Sequence, residues 1–139
     1  MQKSNVISQE VAVKEATDFI NKYSDEPLKQ DEVQEAYKHL VRAIQFGRFF
    51  INENEKPVYK LQDPLTDEKG SIVLEQIEFK TRIKPTALAS ISAGMDVNKN
   101  AFMFALKVMA YVIDQPFGYI DRFSKTDYNT LSSISGLFS

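Results

Sequence analysis

Residues 101–113 read AFMFALKVMAYVI, a run whose only charge is Lys107. Apolar residues recur in it at spacings of three and four, the pattern of a helix with a core-facing stripe. The stripe comprises Phe102, Ala105, Leu106, Met109, Val112 and Ile113. Phe104, Val108 and Tyr111 add apolar surface outside it. A helix that is apolar nearly all round is either a central core helix or a helix that binds another protein.

The residues around this stretch predict a C-terminal bundle of three to four helices. Pro85 suits the first turn of a short helix before it. Residues 114–116 (Asp-Gln-Pro) end the central helix, and residues 117–123 predict short helical turns. Ser124, with Asp127 three residues later, forms a variant capping box that starts a last helix. The inward-facing residues of that helix are Tyr128, Leu131, Ile134 and Phe138.

Residues 57–79 are typical of a short β-hairpin. A β-prone segment over 57–61 is followed by turn residues at 66–70 and by a second segment, 72–79, rich in β-branched and apolar residues. In the second segment, Ile72 and Leu74 would lie on one side of a regular strand, whereas Ile77 and Phe79 would lie on the other. A bulge near Glu75 and Gln76 is therefore predicted, because it would bring them to the same side. Because a two-stranded hairpin alone is marginally stable, it should lie on the helices or pair with another chain.

Residues 10–51 are predicted to form a helical hairpin after a loose tail over residues 1–9. The buried face of its first helix comprises Ala12, Ala16, Phe19, Ile20 and Tyr23. The stripe of its second helix comprises Val33, Ala36, Tyr37, Leu40, Val41 and Ile44. The predicted fold is therefore α+β and mainly helical. Its two parts are an N-terminal helical pair (1–55) and a β-hairpin with a helical domain (56–139).

Composition limits the classes of function. A chain of 139 residues with 43% apolar residues can bury a core. The net charge of −2 comes without a sustained basic block, so nucleic acid is an unlikely partner. Without cysteine there are no disulfides, thiolate zinc sites or cysteine nucleophiles. Residues 101–113 span only about 20 Å as a helix, too short for a bilayer, and the chain opens without a hydrophobic signal core. A soluble cytoplasmic protein without membrane contact is predicted.

No pattern of catalytic, cofactor-binding or metal-ligating residues is found. His39 is the only histidine, which excludes a two-histidine site within one chain. Residues 96–100 begin like a calcium loop, but Ala101 stands where a glycine is needed and Lys107 where a glutamate is needed. Helix capping by Asp96 or Asn98 explains that segment better. We therefore predict a protein that is not an enzyme and uses no cofactor or metal.

The order of elements from Val58 to Phe138 follows a recognisable plan. A β-prone opening leads through a turn to a strand with a basic end, and a Pro-Thr pair starts a helix. These elements are residues 59–61, 66–70, 77–82 and 85–88. A hydrophobic helix, a segment that begins near a proline and a last helix ending on phenylalanine follow. The hydrophobic helix corresponds to Val108–Ile113. The proline segment corresponds to Pro116 with residues 120–123, and the last helix corresponds to Asp127 with residues 137–138.

In this order and spacing the stretch resembles the tail assembly chaperones of long-tailed bacteriophages, in particular the Mu-like contractile-tailed group. The resemblance covers about sixty percent of the chain, residues 58–138. It departs from the family at Ala87-Leu88, where a glycine-aspartate is usual, and residues 10–51 have no counterpart in short family members. It implies a non-enzymatic protein that binds the tape-measure protein, keeps it soluble and helps tail-tube subunits to polymerise around it.

Under this hypothesis the central and last helices form the partner-binding surface. Its predicted residues are Phe102, Phe104, Val108, Tyr111, Tyr128, Leu131 and Phe138. Self-association into a homo-oligomer is compatible with this hypothesis. Two alternatives are a small nucleic-acid-associated regulator, with residues 10–51 as its DNA-binding unit, and an oligomeric interaction module. A small enzyme is a third alternative, for which no site is found.

Overall fold

The structure, a computed structural model, describes residues 7–139 and has the predicted α+β fold, about half of it helical. Its helices are α1 (Gln9–Tyr23), α2 (Gln30–Ala36), α3 (Lys38–Gln45), α4 (Pro85–Ser92), α5 (Ala101–Ile113) and α6 (Lys125–Ser135), with a 3-10 helix over Phe117–Arg122. Its strands are β1 (Phe49–Ile51), β2 (Pro57–Thr66) and β3 (Ile72–Glu78). Within the described part of the chain, no helix is long and apolar enough to cross a membrane.

The N-terminal part differs from the predicted helical hairpin. Its first helix begins at Gln9, because the Ser8 side chain accepts the N–H of Val11 as an N-cap. Residues 1–6 of the predicted tail lie outside the described residues. The second predicted helix is divided into α2 and α3 at Tyr37, whose backbone (φ −122°, ψ 37°) is not helical.

A third strand was not predicted. Gly47 has a positive φ of 73°, the left-handed conformation that commonly ends a helix, so the chain leaves α3 before residue 49. The apolar residues 49–51 then form β1, which pairs antiparallel with β2. The predicted two-stranded hairpin is therefore part of a three-stranded antiparallel sheet of order β1-β2-β3.

The sheet is irregular opposite Glu75, close to the predicted bulge. Lys60 pairs with Gln76 and Leu65 with Leu74, so residues 61–64 of β2 stand against Glu75 alone. At this place the extra residues lie on β2, whereas the prediction put the bulge on β3. A second shift, between the pairs Leu65↔Leu74 and Thr66↔Ile72, leaves Val73 of β3 as an extra residue. This segment of β2 bends toward α6, as the hydrogen bonds described below show.

One cluster of buried side chains includes residues from the N-terminal helices, the sheet and the C-terminal helices. β1 lies before the predicted boundary at residues 55 and 56, and its partner β2 lies after it. Across the same boundary the ring of Phe138 lies 4.9 Å from that of Tyr23 and 6.1 Å from that of Phe19. Such edge-to-face aromatic pairs stabilise a core beyond the area that they bury.

Helix α5 has the predicted bounds but buries only its second half. Met109, Val112 and Ile113 of the predicted stripe are buried, whereas Phe102 and Ala105 are exposed. A core-facing stripe therefore describes only the second half of α5, because periodicity identifies the apolar face of a helix but not how far its neighbours cover it. Neither Asp96 nor Asn98 caps α5 itself, since its N-cap is Asn100, which makes no side-chain capping hydrogen bond. Asp96 instead accepts the N–H groups of Asn98 and Lys99 in the turn before the helix.

Candidate protein-binding groove

An open groove of about 320 Å³ lies between α5 and α6. Its lining residues are uncharged: Phe102, Phe104, Ala105, Leu106, Val108, Met109, Tyr128, Ser132, Ser135, Gly136 and Ser139. A cleft with apolar walls and a few polar groups is the usual form of a binding site. Among the described residues, no cluster of acidic and histidine side chains is placed to hold a metal ion.

The wall formed by α5 is apolar and reaches the protein surface. Phe102 is 71% exposed and Met103, one residue on, is 42% exposed. Phe104 and Leu106 are half-buried and pack against the core. Single exposed apolar residues are common, but an exposed phenylalanine that lines an apolar groove, as Phe102 does, indicates a surface for another molecule.

The wall formed by α6 and the residues after it carries Tyr128 and four small residues. Ser132, Ser135, Gly136 and Ser139 recur at helical spacings of three and four, so they share one face. Ser135 is 4% exposed, and its hydroxyl oxygen has no hydrogen-bond partner among the described residues. Buried side-chain hydroxyls are normally paired, so Ser135 is an exception among the buried polar groups of the described residues.

The structure distributes the seven predicted partner-binding residues over three environments. Phe102, Phe104 and Tyr128 line the groove and are at least partly exposed; Val108 also lines it but is only 5% exposed. Tyr111 is half-buried outside the groove, with the Lys80 ammonium 3.9 Å from its ring centroid.

The remaining two predicted residues, Leu131 and Phe138, are buried in the core at 0% and 7% exposure. They are not accessible to a partner, because α3 and β2 pack against α6 and the rings of Phe19 and Tyr23 on α1 lie against Phe138. The prediction also missed the small-residue face of α6. Its signal is the spacing of Ser132, Ser135 and Gly136, which is visible in the sequence but common on solvated helices.

The position of α6 is fixed by the fully buried carboxylate of Asp127. It accepts hydrogen bonds from the Tyr59 hydroxyl (2.6 Å) and from the backbone N–H groups of Gln62 (2.8 Å) and Asp63 (2.9 Å). The Ser124 hydroxyl accepts the N–H of Asp127, as the predicted capping box requires. The carboxylate does not complete the box but holds the irregular segment of β2, and this fixes the α6 wall of the groove.

Burial, and secondarily the hydrogen bond to the Asp127 carboxylate, raises the pKa of the Tyr59 phenol strongly above its ordinary value of 10.0. The unfolded chain then releases this proton near pH 10 while the folded chain retains it. We therefore expect the free energy of unfolding to fall as the pH rises above 10. In Tyr59→Phe this fall should be shallower, although the variant is less stable at pH 7. Urea unfolding from pH 7 to pH 11 measures both, and equal slopes for the two proteins would contradict the assignment.

His39, the only histidine, is half-buried on α3. Burial lowers its pKa, and the neighbouring charges of Lys38 and Arg42 lower it further, so the imidazole is neutral at pH 7. It does not line the groove. Comparison of the chain with protein-family models, curated proteins and solved structures finds no match.

Proposed function

We propose that this protein is a tail assembly chaperone of a Mu-like phage or prophage. It would act without catalysis in the host cytoplasm, binding the tape-measure protein and assisting tail-tube assembly. The resemblance of residues 58–138 suggests this role. The observation that supports it best is the exposed apolar first half of α5, with Phe102 at 71% exposure beside the groove.

The groove suits a partner that presents apolar helix faces. An amphipathic helix binds another protein by laying its apolar face into a hydrophobic groove. Met109 lines the groove from α5, and methionine is flexible enough to pack against varied side chains. A chaperone for a long helical protein must accept many similar apolar segments, and a shallow groove with adaptable walls does so.

The outer edge of strand β3 is a second candidate surface for assembly. In the order β1-β2-β3, one edge of β3 pairs with no other strand of the described chain. Ile72 is 57% exposed and Val73 is 43% exposed on that strand. An unpaired strand edge can add a strand from another chain, so β3 is our candidate for pairing with a tail-tube subunit or a second copy.

The Phe102→Lys variant should lose the partner without losing the fold. Phe102 is mostly exposed, so its replacement removes little buried surface from the folded chain. A charged side chain at the centre of an apolar contact opposes binding, and removal of a central aromatic residue commonly costs about 2 kcal/mol or more. We expect about a tenfold or larger loss of soluble tape-measure protein on co-expression, with unchanged circular dichroism.

Phe117→Lys is the matched control for this experiment. Phe117 is 42% exposed but lies on the 3-10 helix, outside the groove. It should support as much soluble partner as the wild-type protein does. If both variants or neither reduce the yield, α5 is not the contact surface.

The proposed function itself is tested by co-expression with the tape-measure candidate, expected as the long helical reading frame beside this gene. Size exclusion with light scattering should find a soluble complex where the long protein alone precipitates. If the partner precipitates regardless and this protein elutes alone, the chaperone proposal fails.

A further inference from the structure

We propose that residues 81–107 open from the protein as one unit while the rest of the fold stays closed. This flap comprises helix α4, the turns after it and the first half of α5. The motion belongs to the free protein and does not depend on the proposed function. Burial, helix caps and hydrogen bonds all distinguish the flap from the rest of the described chain.

The flap contains no buried residue. Residues 80–107 are 28 consecutive residues that are all exposed or half-buried, whereas the next longest such stretch of the described chain, residues 21–32, has 12. Helix α4 packs chiefly against α5. The half-buried apolar residues that hold the flap on the core are Ile83, Leu88, Ile91, Phe104 and Leu106. Because local stability follows buried apolar contacts, the flap should open at a lower free energy than the core.

Neither helix of the flap has a side-chain N-cap. Lys84 and Asn100 occupy the N-cap positions of α4 and α5 and make no capping hydrogen bond. Helices α1 and α6, by contrast, begin at Ser8 and Ser124, whose hydroxyls accept backbone N–H groups. An uncapped helix leaves its first N–H groups without side-chain acceptors. Helix α4 also has only eight residues, too few to be stable without packing.

No side-chain hydrogen bond or salt bridge joins the flap to the other described residues. Its side chains bond only within it: the Ser92 hydroxyl donates to the Ala89 carbonyl, and Asp96 and Asn100 bond within the turn before α5. The only backbone hydrogen bonds between the flap and the rest of the described chain are the helical ones along α5. Few bonds must therefore break when the flap opens.

Both ends of the flap are fixed, so it opens as a loop. At one end the backbone N–H of Lys80 donates to the Val112 carbonyl (2.8 Å), and the Lys80 ammonium lies 3.4 Å from a carboxylate oxygen of Asp114. At the other end Val108 is the first buried residue of α5. The cluster of buried side chains includes no residue of the flap, so opening leaves that core in place.

Opening would change the groove between α5 and α6. Most of the α5 wall belongs to the flap, namely Phe102, Phe104, Ala105 and Leu106. This wall is formed only while the flap is closed. The flap is thus a two-state element on which the shape of the groove depends, and any molecule that binds the closed groove would favour the closed state.

Native-state hydrogen–deuterium exchange in low urea tests the opening directly. Relative to their intrinsic rates, amides of residues 88–92 and 104–107 should exchange about a hundredfold faster than those of α3 and α6. Their rates should change little with urea below the global transition, because opening the flap exposes little surface. If these amides exchange only at the rate of α3 and α6, the proposal is overturned.

Lys84→Ser tests whether α4 and α5 open together. Lys84 is exposed and extended (φ −71°, ψ 141°) directly before Pro85, so a serine hydroxyl at this position can cap α4. The cap should slow exchange of residues 88–92 and 104–107 alike, by about fivefold. Lys69→Ser is the matched control, since Lys69 is an exposed lysine of the turn between β2 and β3, and both groups of amides should be unchanged in it. Slower exchange of residues 88–92 alone would show that α4 frays by itself, which overturns the single unit.

Ile20→Val tests whether the flap opens without the core. Ile20 is fully buried on α1, outside the flap. Its truncation destabilises the closed and flap-open forms equally relative to the unfolded chain. Amides of α3 and α6 should therefore exchange about fivefold faster, whereas residues 88–92 and 104–107 should be unchanged. If the flap amides are accelerated together with those of the core, the flap opens only by global unfolding and the proposal is wrong.

Discussion

Asp127→Ala should lower the free energy of unfolding by about 3 kcal/mol, a large fraction of the stability of a small domain. The carboxylate of Asp127 is fully buried and accepts three hydrogen bonds from β2. Its removal leaves the hydroxyl of Tyr59, a residue that is only 1% exposed, without its acceptor. A buried donor without a partner costs about 1–3 kcal/mol. The two freed backbone N–H groups are partly accessible to water and add less.

The measurement is urea unfolding followed by circular dichroism. Asp121→Ala is the control, because Asp121 is an exposed acidic residue of the preceding 3-10 helix and its removal should change stability by less than about 0.5 kcal/mol. Asp127→Asn should lie between the two, since the amide keeps one acceptor oxygen but turns a donor toward β2. Equal stability of Asp127→Ala and the control would show that α6 is not held by this carboxylate.

Phe138→Ala should also destabilise the protein by about 3 kcal/mol, the usual result of truncating a buried phenylalanine. The Phe138 ring is 7% exposed and lies 4.9 Å from the ring of Tyr23, 6.1 Å from that of Phe19 and 6.2 Å from that of Phe79. It thus joins α1, the end of the sheet and the end of α6.

This substitution distinguishes a core role from a partner-binding role. If Phe138 bound a partner from the surface, as the sequence suggested, its truncation would leave stability unchanged and weaken only the complex. Phe117→Ala is the control, since Phe117 is 42% exposed and its truncation should have little effect on unfolding. If Phe138→Ala unfolds at the same urea concentration as the wild-type protein, Phe138 is not a core residue and belongs to the binding surface.

The helices and strands that depend on sequence features within a few residues were predicted well. Helix α5 ends at Ile113 because Asp114 adopts a left-handed conformation (φ 55°) and Pro116 follows. The fold class was confirmed for the same reason, since periodicity and turn residues determine which segments become helices and strands.

The missed features depend on contacts between distant residues. Residues 49–51 are too few to show a strand period, and they form β1 only because β2 supplies a partner. The role of Asp127 was missed since its partner Tyr59 is 68 residues away in sequence. Sequence predicted the capping box but not that the carboxylate turns to the sheet.

The candidate site was predicted in part. Apolar composition identified α5 and α6, and Phe102, Phe104 and Tyr128 do line the groove. Periodicity alone did not separate the covered side of each helix from the open one, which is why Leu131 and Phe138 were assigned to the surface. The wall of small residues was missed because serine and glycine produce no hydrophobic signal.

The most direct test of the account is hydrogen–deuterium exchange of the co-expressed complex against the free protein. If a partner helix occupies the groove, amides in residues 101–107 and 132–139 should exchange more slowly in the complex, while α2 is unchanged. Protection confined to other parts of the chain, with α5 exchanging as in the free protein, would contradict the claim that this groove holds the partner.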